Sequence, residues 1–248
     1  MRNMKIFAGL GVAAMALALG GCNVDIGSYS GFDKDSAALT GADISGENFT
    51  DVALLGPDSL IVKNGPAYAI SAEGDSDTLE QLRYVVKDGT LRIGRKDNDG
   101  IFNKSYGEAA TITLTMPRLE GISVAGSGDA EVDKLEGKQA EANIAGSGNL
   151  KVAMVDVQQL ENSIAGSGNI TMAGSSDTIE ISIAGSGDFE GGQLSADKAE
   201  VSIAGSGNAS IKSDGTVEAS IMGSGDVNVS GSAKCDSSIV GSGSLSCG

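Results

Sequence analysis

From Leu119 onward, apolar residues recur at fixed distances from a repeated Gly-Ser-Gly whose first glycine is Gly126, Gly146, Gly166, Gly185, Gly205, Gly223 and Gly241. Two residues before that glycine stand Val124, Ile144, Ile164, Ile183, Ile203, Ile221 and Ile239, and four after it Ala130, Leu150, Ile170, Phe189, Ala209, Val227 and Leu245. The column six before runs Ala140, Leu160, Ile179, Ala199, Val217 and Cys235; six after run Val132, Val152, Met172, Gly191, Ile211, Val229 and Cys247. These apolar columns lie an even number of residues from the glycine, which is the two-residue alternation of strands. Positions three before are Ser or Asn, and positions three after the first six glycines are Asp or Asn, so those odd columns face water.

Copies follow one another at 18 to 20 residues, and a period of that length means stacked coils. Each coil reads as a strand, a Gly-Ser-Gly corner, a second strand and a return turn that absorbs the length variation. Glycine reaches backbone angles that a Cβ resists, and Asp or Asn beside it tolerates the left-handed region. The expected fold is all-β: a right-handed parallel β-helix, or β-solenoid, of about seven coils preceded by capping strands. At about 4.8 Å per coil the repeats build a rod roughly 34 Å tall. Asn162 and Ser237 interrupt the inward column four before the glycine; an internally hydrogen-bonded Asn is the expectation for Asn162.

The stretch from Phe49 to Arg118 lacks the tripeptide but carries strand-like runs: Leu60-Ile61-Val62, Tyr68-Ala69-Ile70, Tyr84-Val85-Val86, Leu91-Arg92-Ile93 and Ile112–Met116. Asp88-Gly89 sits where a hairpin turn belongs, and Asp77–Leu82 has room for one helical turn. These segments are expected to cap and begin the same stack. Asp97-Asn98-Asp99-Gly100 is no calcium loop, because Arg95 and Tyr106 occupy the places of its first and last acidic ligands. Phe102 and Tyr106 in that loop are contact candidates, though plugging the core is the commoner role.

The N-terminus changes the setting. Arg2 and Lys5 precede an apolar run from Ile6 to Leu19, too short to span a membrane, and Leu19-Gly20-Gly21-Cys22 closes it. That ending resembles a bacterial lipobox, which implies a signal peptide over 1–21 and a lipid on Cys22; the alternative is ordinary cleavage leaving a free thiol. Asn23 after the cysteine, by resemblance to lipoprotein sorting signals, implies the outer membrane. Residues 22–47 read as a flexible tether with a reach on the order of 27 Å, and 48–248 as one solenoid domain, with caps over 48–118 and repeats over 119–248. With Cys22 assigned to lipid, Cys235 and Cys247 remain, both on inward columns of the last coil, and are expected to form a disulfide; two buried thiols are the alternative.

The repeated Ala-Gly-Ser-Gly-Asp/Asn, Gly89–Ile93, Ile112–Pro117, and Lys234-Cys235-Asp236 with Cys247-Gly248 resemble the head GIN domain family. The resemblance spans about Phe49 to Gly248. It implies a right-handed β-helix in a bacterial envelope protein behind a signal or lipoprotein leader, with an adhesin role and no catalytic residues to carry over.

Candidate chemistry lies five residues before each glycine, where Glu141, Glu161, Glu180, Glu200, Glu218 and Asp236 form a ladder of acids. Such a ladder suits a hard divalent cation such as Ca²⁺ or a ligand; the plainer role is a solvated face that keeps the rod soluble. From Leu119 onward six Lys oppose 18 acids, so this part carries 6 − 18 = −12 of the chain's −16, which disfavours nucleic acid. The chain contains no His, and no Arg lies in the repeats, which excludes His-based triads and disfavours a polysaccharide-active enzyme. Two readings remain: a membrane-anchored surface module contacting glycans or surface proteins, and a structural envelope element that self-assembles into homo-oligomers through its sheet edges.

Overall fold

The computed structural model describes residues 36–96 and 107–248. The leader, Cys22, the loop Asp97–Gly100, Phe102 and Tyr106 lie outside them. The order is β1 (Ala37–Ala38), β2 (Asp51–Gly56), β3 (Ser59–Asn64), β4 (Ala69–Glu73), α1 (Ser76–Leu79), β5 (Leu82–Lys87), β6 (Thr90–Arg95), β7 (Thr111–Met116) and β8 (Gly121–Gly126). The long strands β9 (Ala130–Gly146), β10 (Leu150–Gly166), β11 (Ile170–Gly185), β12 (Phe189–Gly205) and β13 (Ala209–Gly223) follow, then β14 (Asp226–Ser230), β15 (Lys234–Gly241) and β16 (Ser244–Cys247). Parallel pairing in register runs from β8 to β16, giving a largely parallel β-solenoid of about six turns with capping strands.

Side-chain parity follows the sequence pattern. Ile144, Ile164, Ile183 and Ile203 stack on one another and are buried, each side chain contributing about 1.5–3 kcal/mol on leaving water. The return segment, expected as a turn, is hydrogen-bonded strand instead: Lys134, Leu135 and Glu136 pair with Met154, Val155 and Asp156. The coil-length differences are absorbed as bulges, at Thr171/Ala173 and Gly191/Ser195 among others. This segment adds core residues that the corner-based columns omit, Leu135, Val155 and Leu194, all fully buried.

The corners work differently from the expectation. Among non-glycine residues described, only Asp88 has a positive φ, so the corner Asp and Asn residues are not left-handed. Their side chains instead form a ladder along the rod. Asp129 Oδ1 accepts from the backbone N–H of Asn149 at 2.8 Å, Asn169 Oδ1 from that of Asp188 at 3.0 Å, and Asp188 Oδ1 from that of Asn208 at 2.8 Å. Asp226 Oδ1 ends it by accepting from the N–H and hydroxyl of Ser244. Each oxygen satisfies an amide where the chain turns and the sheet pairing lapses.

One end of the stack is covered. Strand β4 pairs antiparallel with β7, β5 with β6, and β1 with β5, the β5–β6 hairpin turning at Asp88-Gly89 as expected. Helix α1 is capped by the Asp75 carboxylate, which accepts from the Asp77 N–H. Residues 36–47, assigned from sequence to the tether, are packed: Leu39 and Ile44 are core residues, because β1 adds a strand to the cap. At the other end β15 has one hydrogen-bonded neighbour, β13, and β16 has one, β14. Cys235 and Cys247 are joined by a disulfide across this last coil, with Cα atoms 6.4 Å apart. The pair is not enclosed: Cys247 is exposed and Cys235 half-buried, since no further coil stacks on them in the described chain.

Asn162 is buried in its column between Ala142 and Ile181. Its Nδ2 donates to the Glu180 carbonyl at 3.4 Å while Oδ1 has no partner. The internal bonding expected of it is therefore half met.

Candidate functional site

The register brings the six predicted acids together on consecutive strands: Glu141 beside Glu161, Glu161 beside Glu180, then Glu200, Glu218 and Asp236. They alternate with the buried column along each strand, so they are carried on the solvent face. All are exposed except Glu161, which is half-buried. Two residues along each strand runs the Ser/Asn column, and over the last three rungs Glu200, Ser202, Glu218, Ser220, Asp236 and Ser238 line a shallow groove of 270 Å³.

A seventh acid joins the ladder. Gly56 pairs with Gly126, which makes Gly56-Pro57-Asp58 a divergent corner and puts Asp51 five residues before it, in the same column. The rung between Asp51 and Glu141 is Gly121, where a Cβ would overlap the Asp51 carboxylate. The one sign of Asp51 along the chain is its distance from Gly56, and periodicity misses it because that corner lacks Gly-Ser-Gly.

Asp58 itself, in that divergent corner, is fully buried and holds Arg95 through two hydrogen bonds, from Nε at 2.8 Å and from Nη2 at 2.6 Å. The same carboxylate accepts from the Ala110 N–H at 2.8 Å, and Arg95 Nη2 also donates to the Glu108 carbonyl at 3.1 Å. This pair ties three distant segments of the cap and belongs to stability rather than to the ladder. Neither residue repeats, so periodicity gives no sign of it.

Although both residues are exposed, partial loss of water around their carboxyls first, and then the charge of Glu161, push Glu141 and Glu180 above their ordinary value of 4.5; Asp51 adds to the effect on Glu141 and Glu200 to that on Glu180. Asp51 is also raised, chiefly by burial and further by Glu120, against a hydrogen bond from Thr50 that lowers it. A carboxyl raised in the fold supports stability fully below its unfolded pKa and loses that support as pH rises through the folded value. Glu161→Gln removes the charge acting on both neighbours. It is therefore expected to raise the melting temperature at neutral pH, by the equivalent of less than about 1 kcal/mol because the face is solvated, and to leave it unchanged at pH below the ordinary carboxylate range. Thermal melts across the acid range check this; equal shifts at both ends of the range count against the ladder as a repulsive unit.

Among the described residues no group of three or more His, Cys, Asp or Glu is placed to hold a metal ion. A row of carboxylates offers a few oxygens at any point, whereas Ca²⁺ takes about six to eight. Nothing on this face activates a nucleophile: the chain has no His, and Phe189, the single aromatic of the repeats, is buried in the core.

A family model described as "Putative auto-transporter adhesin, head GIN domain" matches residues 48–233. The fold is shared with solved structures. A "putative adhesin" from Bacteroides fragilis is 21% identical with a TM-score of 0.72, covering 86% of this chain and 94% of that one. A "putative lipid binding protein" from Parabacteroides distasonis is 24% identical with a TM-score of 0.61, covering 86% and 95%. A "putative adhesin" from Parabacteroides merdae is 18% identical with a TM-score of 0.63, covering 82% and 92%. No curated protein matches the chain.

Proposed function

The chain belongs to the head GIN domain family, and on that premise we propose that it is a lipid-anchored, non-catalytic surface module of the bacterial envelope that makes adhesive contacts through a right-handed solenoid. The observation that carries this reading is the solvent face: columns of carboxylates and of Ser and Asn run along the stack beside each other, with no activated nucleophile among them. Such a face suits weak contacts repeated at each rung, whose sum is strong only when many engage together. Glycans and surface proteins with several donor groups are the partners it fits, and nucleic acid is repelled by the charge. Parallel crossovers of the opposite hand are rare, which supports the right-handed winding.

The lipobox-like Leu19-Gly20-Gly21-Cys22 supports attachment at Cys22, with Asn23 favouring the outer membrane. Residues 1–21 are then the signal peptide, and the residues between Cys22 and the packed segment at Ser36 are the tether. Fractionation and binding by cells test both parts. Cys22→Ala is expected to leave the membrane fraction, and cells lacking the protein to bind glycan-coated or cell surfaces less than those carrying it. Membrane attachment that survives Cys22→Ala refutes the anchor, and unchanged surface binding in the deletion strain refutes adhesion.

A further inference from the structure

The two ends of the solenoid differ. Beyond β2 lie β6, β5 and β1, and beyond β3 lie β7 and β4, with the direction reversed at β5 and β4 and restored only in the two-residue β1. At the other end, β15 and β16 each use one edge for hydrogen bonding and present the other. Native edges are usually guarded by Pro, by inward charge or by a covering segment. The only charged side chains from Val227 to Gly248 are Lys234 and Asp236, and no Pro is there.

Apolar surface collects at the same place. The residue one before each corner glycine is Ala125, Ala145, Ala165, Ala184 and Ala204, and then Met222 and Val240. Met222 is 56% exposed and Val240 66%, and beside them Ile239, of the otherwise buried isoleucine column, is 38% exposed. Small side chains thus give way to large apolar ones at the last two rungs of this column.

Charge selects the occupant. A chain of net charge −16 is repelled by its own copy at the acidic face. Lys234 and Asp236 cancel, so the last coil is where two copies meet with least repulsion. The opposite end also shows that this stack accepts antiparallel strands, as β4 and β5 do.

We propose that the coil formed by β15 and β16 is a homophilic contact, through which a second copy of this chain pairs edge to edge and antiparallel to close a twofold dimer. Closure follows from the geometry. A twofold contact uses the same surface on both partners, and at the opposite end the outer strand β4 is reversed while the only outer strand running with the stack, β1, is two residues long, too short an edge for head-to-tail growth along the coil. The described chain begins at Ser36 beside β1, at the far end of the sheet from β16. Tail-to-tail pairing therefore sets the two N-terminal ends apart. If the anchored reading above holds, and this step rests on it, the dimer joins copies on facing membranes.

Sedimentation of the full chain tests the contact. Wild type is expected at twice the chain mass, with association strengthened by salt as charge repulsion is screened. Ile239→Lys with Val240→Lys is expected at the monomer mass with the melting transition of the repeats retained. Met154→Lys, which removes an apolar side chain 52% exposed on the return segment, is expected to remain dimeric. A monomeric wild type overturns the proposal and leaves a strand of another protein as the occupant. A dimer that persists in the double variant, a monomer in Met154→Lys, or open-ended oligomers overturn it too. Cys22→Ala separates this from the anchoring reading: the dimer is expected to survive it, whereas membrane attachment is not.

Discussion

Replacing Asp58 by alanine is expected to lower the unfolding free energy by about 3–5 kcal/mol, because it strands a buried guanidinium with no carboxylate. Asp58 is fully buried, and the Arg95 side chain is 5% exposed. Water cannot take over the lost bonds without opening the cap. The Ala110 N–H loses its acceptor as well, which by itself costs about 1–3 kcal/mol when buried. Removing both charges together, as in Asp58→Leu with Arg95→Met, is expected to recover much of the loss, since the penalty comes from the unpaired ion rather than from the absent pair. Urea unfolding of the three chains checks this. A loss below about 1 kcal/mol for Asp58→Ala, within the range of a solvated pair, contradicts the buried geometry.

Gly166→Ala is expected to cost about 2–4 kcal/mol, from strained backbone and from overlap with a rigid neighbour. Its φ of 131° lies in the region L-residues avoid, and a Cβ would overlap the backbone carbonyl of Gly146 in the coil below. That carbonyl accepts from Ser167 and Gly168 at 2.9 and 3.2 Å, so it cannot move aside without breaking the corner. The contrast is Gly192→Ala in β12, where a Cβ meets nothing within 4 Å; its change is expected to stay within about 0.5 kcal/mol. Similar losses for the two variants, read from urea unfolding, contradict the stacked corner. The second glycine is kept for a different reason: a Cβ on Gly168 would lie 2.8 Å from Ile144 Cγ2 and overlap the Gly148 carbonyl, without any left-handed backbone.

Periodicity made the inner columns, the acid ladder and the disulfide partners legible, because each is a relation at fixed distance from a recurring glycine. Whatever does not recur was hidden. Asp58 and Arg95 meet across 37 residues of sequence with no repeat to align them. Asp51 belongs to the ladder yet sits beside Gly121, about 70 residues earlier in the chain, because the coil it starts pairs out of sequence order with β8. The return segment reads as a turn because its bulges shift the register from coil to coil, which erases a fixed column although Leu135, Val155 and Leu194 are buried. The corner Asp and Asn residues stood out as polar, but their function as a hydrogen-bonded ladder depends on coils lying directly above one another, which one coil's sequence does not express.

Parallel stacking in register is what places the acids on one face, the isoleucines inside and the last coil at an edge, and cross-linking measures it directly. Glu161→Cys with Glu180→Cys sets two thiols on paired positions one strand spacing apart, about 4.8 Å, within the Cα range of a disulfide. Glu161→Cys with Glu200→Cys sets them two spacings apart, roughly 9.6 Å, which is beyond it. Under mild oxidation, peptide mapping by mass spectrometry is expected to find the first pair linked and the second reduced. Equal linkage of both pairs, or no linkage of the first, would contradict the stacked register.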